Sequence, residues 1–207
     1  MRAIEMNAEY LGISPGQLME NAGGAVASDV ARRFKAGDGK VVALVGTGGN
    51  GGDGMVAARR LACMGYDVQV ALIGDTAHIR RREVRQNWDV LQVMDRTVEI
   101  RIHRDSTEVP PVMGMVVLDA LLGTGYSGPL NPPLLQAVRR INECDGYTVA
   151  VDVPTGLDAD TGQVVNDAVK ADLTITFHRS KSGLATGNAY TGDIVVADIG
   201  IPMEVTT

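Results

Sequence analysis

Val41-Val42-Ala43-Leu44-Val45-Gly46-Thr47-Gly48-Gly49-Asn50-Gly51-Gly52-Asp53-Gly54 is the stretch that decides the fold. Five consecutive apolar residues, three of them valine, read as a strand buried on both faces, the situation of a parallel sheet. The run stops at a segment with six glycines among nine residues, Gly46 to Gly54, which contains a G-x-G-x-x-G spacing at Gly46, Gly48 and Gly51. A helix from about Asp53 to Met64 is expected next. Glycines bring backbone N–H groups close to a ligand, and the start of the following helix adds partial positive charge, so the loop suits a phosphate or pyrophosphate. The G-K-[ST] of an ATP-binding loop is missing. An ordinary dehydrogenase fingerprint asks for an acid after the next strand, for which Asp75 is the candidate, and does not ask for Asn50 or Asp53 inside the loop.

Outward from this unit the pattern repeats. Val68 to Ile73, Val98 to Ile102, Met115 to Leu118 ending at Asp119, Tyr147 to Val151 ending at Asp152, Leu173 to Phe177 and Ile194 to Ala197 read as further strands. Between them, Ile79 to Met94 and Pro132 to Glu143 read as helices. Upstream, Ser14-Pro15-Gly16-Gln17 is a capping box with proline in the first turn, opening a helix toward Phe34. Strands alternating with helices predict an α/β fold, a Rossmann-like, mostly parallel sheet with helices on both faces. Such sheets take ligands at the carboxyl ends of their strands, and the informative residues lie there. No repeat or low-complexity linker divides residues 1–207, so one domain is expected.

Composition narrows the function classes. The 207 residues are 45% apolar and 21% charged, an ordinary globular mix, with a net charge of −6. An acidic domain is a poor general binder of nucleic acid. No apolar run is long enough to span a membrane and residues 1–10 lack a signal-peptide core, so a cytoplasmic location is the expectation. The basic cluster Arg80, Arg81, Arg82 and Arg85 reads first as a solvated helix face. Cys63 and Cys144 lack metal spacing; Cys63, among Leu61, Ala62 and Met64, reads as core filling.

Five segments, in the family's order along the chain, resemble one family. Gly46 to Gly54 is similar to the G-x-G-N-N-G-G-D-G loop of the NAD(P)HX epimerases, also called the YjeF N-terminal domain. Asp119-Ala120-Leu121-Leu122-Gly123-Thr124-Gly125 resembles its D-x-x-x-G-T-G segment, and Asp152-Val153-Pro154-Thr155-Gly156-Leu157-Asp158 its D-[IV]-P-[ST]-G-L-[DN] segment. Ala171 to Phe177 followed by Lys181 resembles its last strand and lysine, and Leu18 to Gly23 its early helix. The departures are Gly49 where the first asparagine is usual, Thr155 for the commoner serine, and Ser180 where proline is frequent.

The resemblance implies an isomerase that interconverts the R and S forms of hydrated NADH and NADPH (NADHX and NADPHX). It implies substrate contacts from Gly49, Asn50, Gly51, Gly52 and Asp53, from the second glycine loop Gly123, Thr124, Gly125, Tyr126, Ser127, Gly128 and Pro129, and from Asp152 and Lys181. Asp152, at a strand end before a proline turn, is the expected acid/base; a turn cap is the bland alternative. Lys181 is by default a solvated lysine. Asn50, Asp119 and Thr155 offer oxygen donors from three strand ends, and the resemblance implies one potassium ion per subunit there. It also implies a homodimer and coupling to a dehydratase made as a separate chain. The competing expectations are a non-catalytic nucleotide- or partner-binding module of the same fold and a true NAD-dependent dehydrogenase, for which neither a hydride-acceptor site nor a second domain is visible.

Overall fold

The structure, a computed structural model, describes residues 2–205. Helix α1 (Arg2–Tyr10) leads into α2 (Pro15–Arg33). The capping box forms: Ser14 Oγ accepts from Gln17 N at 3.3 Å, and the Gln17 side chain accepts from Ser14 N at 2.8 Å. Then follow β1 (Val41–Val45), α3 (Gly49–Cys63), β2 (Val68–Ile73), α4 (Arg82–Gln92), β3 (Val98–His103), β4 (Val116–Ala120), α5 (Leu134–Asn142), β5 (Tyr147–Val151), β6 (Leu173–Phe177), two short helices α6 (Ser182–Thr186) and α7 (Asn188–Thr191), and β7 (Asp193–Ala197).

All seven strands form one sheet, in the order β3-β2-β1-β4-β5-β6-β7, and every pairing is parallel. The alternation of side chains along each strand supplies two cores. Val41, Ala43 and Val45 face the layer of α2, α3 and α4, with Leu18, Val26, Met55, Leu61 and Trp88 among its buried members. Val42 and Leu44 face the opposite layer, where α5 contributes Ala137, Val138 and Ile141. This is why β1 reads as an unbroken apolar run: the strands at the middle of the sheet, β1 and β4, are buried along their whole length, whereas the edge strands β3 and β7 are partly exposed.

The strand order places the site. From β1 the chain steps outward through β2 to β3, then returns to the other side of β1 for β4 and continues to β7. The order reverses between β1 and β4, so the loops leaving their carboxyl ends diverge and open a crevice. One loop is the glycine segment after Val45; the other begins at Leu121.

Three local expectations are corrected. Helix α3 starts at Gly49, not near Asp53, so Asn50, Gly51 and Gly52 belong to its first turn. Helix α4 starts at Arg82; the residues before it form a single 3-10 turn, Thr76–His78, capped by Asp75. Cys63 is exposed at the end of α3, because its position in the helical repeat faces water while Leu61 and Ala62 take the buried face.

Candidate active site

The glycine loop is shaped by close approach. A Cβ on Gly51 would lie 1.9 Å from the carbonyl oxygen of Gly46, and one on Gly46 would lie 2.1 Å from that of Leu121. The start of α3 is pressed onto the end of β1 and the chain leaving β4, and a side chain at either position would separate them. Gly48 at the N-cap supplies no side-chain acceptor to the first-turn N–H groups, which leaves them available to an anion.

The crevice is a cleft of about 730 Å³. Gly48, Gly49, Asn50 and Asp53 line it from the glycine segment, Leu121 to Tyr126 from the chain leaving β4, and Asp152 and Phe177 from the ends of β5 and β6. The remaining wall comes from Glu5, Met6 and Glu9 of α1, Leu18, Met19 and Ala22 of α2, and Arg81 and Glu83 near the start of α4. Volume and lining are those of a small-molecule site.

At the end of β5 the backbone of Asp152 turns into the left-handed region, φ 68°, and at the end of neighbouring β6 His178 does the same, φ 64°. Non-glycine residues enter this region rarely, aspartate and histidine more readily than most. The turn brings Asp152 Oδ1 to 2.5 Å from Lys181 Nζ, which also donates to Thr176 Oγ1 at 2.7 Å and to the Phe177 carbonyl at 3.0 Å. The side chains of Lys181 and Asp152 are 8% and 13% exposed. Lys181 is thus a buried cation whose three protons all have acceptors, in place of the solvated lysine expected by default, and its carboxylate partner reaches the cleft.

Beneath the cleft, Asp119 and Thr155 are wholly buried. Asp119 Oδ2 accepts from Thr155 N and Oδ1 from Thr155 Oγ1, both at 2.7 Å. Burial lifts the Asp119 carboxyl to about 6, against the opposing pull of the Thr155 hydrogen bonds. Thr155 Oγ1 lies 3.3 Å from the Leu122 carbonyl, to which Asn50 Nδ2 donates at 2.9 Å. That bond fixes the Asn50 amide orientation, because a carbonyl can only accept. Asn50 Oδ1 is left buried with no hydrogen-bond partner. An orphaned amide oxygen, a buried carboxylate and a hydroxyl, joined through one carbonyl, form a hard oxygen donor set with a single negative charge.

Asp53 sits in the cleft wall. Burial, reinforced by the negative charge of Asp152, pushes its carboxyl well above the usual carboxylate range. Gly123, Thr124, Gly125 and Tyr126 line the cleft. Ser127 and Gly128 instead line a separate cavity of about 60 Å³ with Gly156, Asp158 and Thr161. Pro129 is exposed, and its carbonyl accepts from the Tyr126 hydroxyl at 2.5 Å. Gly51 and Gly52 are buried under the loop rather than lining the cleft. Asp75 is taken up locally, accepting from Ala77 N at 2.9 Å and Arg104 Nε at 3.2 Å.

The basic cluster does not behave as one solvated helix face. Arg85 donates to the carbonyls of Thr76 and Ile79, holding the turn before α4, and Arg81 lines the cleft. Sequence reading also missed Glu5 and Glu9. Their helix reaches the cleft from the other end of the chain, anchored where Asn7 Nδ2 meets the Val205 carbonyl at 3.4 Å, and no local pattern announces that.

An all-parallel sheet with its cleft at the point of strand reversal and a glycine loop opening a helix defines the class: a doubly wound α/β domain that takes its ligand at the switch point. Residues 15–183 match the family described as YjeF-related protein N-terminus, and the chain belongs to it. A protein of Hyperthermus butylicus named bifunctional NAD(P)H-hydrate repair enzyme Nnr is 48% identical over 201 residues, covering 97% of this chain and 37% of that protein. One of Cenarchaeum symbiosum named NAD(P)H-hydrate epimerase is 40% identical over 204 residues, covering 99% of this chain and 94% of that one. Among solved structures, yeast ynu0 (YNL200c) superposes with a TM-score of 0.75 at 25% identity, covering 90% of this chain and 79% of that one. The chain spans about two fifths of the length of the bifunctional relatives.

Proposed function

We propose that this chain is an NAD(P)H-hydrate epimerase, an isomerase that interconverts the R and S forms of NADHX and NADPHX. The observation that carries this reading is the pairing of Lys181 with Asp152, a residue that lines a cleft of about 730 Å³ faced by two glycine loops. The names of relatives that match nearly the whole chain support it.

In the hydrated nicotinamide ring, the nitrogen lone pair helps expel the hydroxyl, leaving a cation-like ring that water re-attacks from the other face. Asp152 serves both halves. Its acid form protonates the departing hydroxyl, its carboxylate form takes a proton from the incoming water, and the residue ends as it began. Lys181, within hydrogen-bonding distance, stabilises the carboxylate form that appears between the halves. Asp53, whose carboxyl burial pushes well above the usual carboxylate range, lines the cleft within reach of the substrate. The open N–H groups at the start of α3 suit a phosphate.

The oxygen donors of Asn50, Asp119 and Thr155 fit one potassium ion per subunit, since the Asn50 amide oxygen is buried without any other partner. A monovalent cation held by these three residues would supply positive charge beneath the cleft. A homodimer, a cytoplasmic location and coupling to a dehydratase complete the proposal. The bifunctional relatives named for the repair of hydrated NAD(P)H support the last. Among the described residues no helix is long and apolar enough to cross a membrane.

The test mixes purified protein with the R epimer and a dehydratase specific for S, and follows recovery of reduced-cofactor absorbance. Recovery is expected with the wild type and more in KCl than in LiCl. Asp152→Asn is expected to slow it at least about 100-fold with an unchanged circular dichroism spectrum. Equal rates with and without the protein would refute the function.

A further inference from the structure

Five acids line the cleft, Glu5, Glu9, Asp53, Glu83 and Asp152, and among the described residues Arg81 is the one arginine or lysine that does. Lys181 is engaged behind Asp152. A dinucleotide carries at least two phosphate charges into this cleft, and an acidic wall opposes it unless a cation stands where the phosphate lies.

Arg81 occupies the N-cap position of α4, on the connection that follows β2. Doubly wound folds use that connection to read the ribose side of a dinucleotide, with arginine accommodating a phosphate. The Arg81 side chain is 59% exposed, and its nearest acid, Glu83, is 3.9 Å away, beyond hydrogen-bonding distance. The guanidinium lies over the start of α3: a Cβ built on Gly49 would sit 3.3 Å from Arg81 Nη1 and 3.8 Å from its Cζ. An asparagine at position 49, usual in the family this chain resembles, would send its amide toward the place the guanidinium holds.

We propose that Arg81 is the phosphate-holding residue of the substrate cleft, admitted to the glycine loop by the absence of a side chain at position 49. The missing asparagine and the placement of the arginine are then one adaptation seen from two sides. A guanidinium presents paired donors that match a phosphate, while the N–H groups of the loop bind it from the other side.

This rests on the cleft being a dinucleotide site, and the experiment separates the two. Epimerisation of NADHX and NADPHX is measured for the wild type, Arg81→Ala and Arg81→Lys. Arg81→Ala is expected to raise KM roughly 10- to 100-fold with kcat within about 2-fold. Arg81→Lys is expected to recover part of that loss. An increase for both substrates assigns the contact to the pyrophosphate, and an increase for NADPHX alone assigns it to the 2′-phosphate; either supports the proposal. Gly49→Asn is expected to raise KM as well, and to add nothing in the Arg81→Ala background. KM unchanged in Arg81→Ala while the wild type turns over would overturn the proposal and leave the function standing. A wild type without turnover would overturn the function instead. Calorimetric titration with NADH and NADPH then decides the arginine, because affinity equal in wild type and Arg81→Ala sinks it.

Discussion

Asp152 shows how a single residue can be costly to hold and useful for the same reason. A left-handed aspartate stores about 1 kcal/mol or more of backbone strain, and it persists because Lys181, Thr176 and the Ile175 carbonyl hold it from the neighbouring strand. The pair is nearly buried, so neither partner tolerates loss of the other. Lys181→Met is expected to destabilise the protein by about 3 kcal/mol in urea unfolding, since it strands a carboxylate in a poorly hydrated place. It is also expected to slow epimerisation. Stability within about 0.5 kcal/mol of wild type would mean that Asp152 is well hydrated without the lysine, contrary to the burial seen here.

At the scale of the element, α3 carries the site because its first turn has almost no side chains. Glycine disfavours a helix by about 1 kcal/mol relative to alanine, so sequence propensity delays the predicted start to Asp53. Packing overrides it: Gly52 lies against Met19 and Gly54 against Ala120, contacts available only to a bare backbone. Two glycines in the same segment therefore respond differently to alanine. Gly51→Ala meets the Gly46 carbonyl at 1.9 Å and is expected to cost about 3 kcal/mol or more in chemical denaturation. Gly48→Ala has nothing within 4 Å and is expected to cost less than about 1 kcal/mol, the modest penalty of alanine at an N-cap. Equal losses would show that chain entropy, not contact, dictates the glycines.

For the whole molecule, the cleft is held at an expense in stability that depends on pH. The folded-state carboxyl of Asp53 is raised by burial and by the charge of Asp152. Below the ordinary carboxylate range, folded and unfolded chains are both protonated there and nothing is lost. As pH rises through that range, the unfolded chain releases its proton first, and stability falls until the folded carboxyl ionises too. Asp53→Asn is therefore expected to be more stable than wild type at neutral pH, with the gain shrinking to nothing as pH is lowered below about 4. Urea titrations at several pH values check this, and a gain independent of pH would assign the effect to packing. The same variant is expected to bind substrate less well, since the residue serves the cleft rather than the fold.

Local pattern by itself determined the strands, the capped helix after Ser14 and the glycine loop, because burial on both faces and the needs of a helix start are written in windows of a few residues. It also placed Asn50, Asp119, Asp152 and Thr155 at or just after strand ends, while the resemblance, not the pattern, suggested their roles. Only the tertiary structure decided what these residues do. Asp152 meets Lys181 from 29 positions away, and Asn50 reaches the Leu122 carbonyl across 72, leaving its amide oxygen unmatched. Arg81 passed for one charge in a basic run until Asp75 and Arg85 shaped the turn that delivers it to the cleft. The physical reason is range. Helix and strand periods arise between near neighbours, whereas ion pairs, orphaned oxygens and cleft walls arise between segments that meet only when the strand order reverses between β1 and β4.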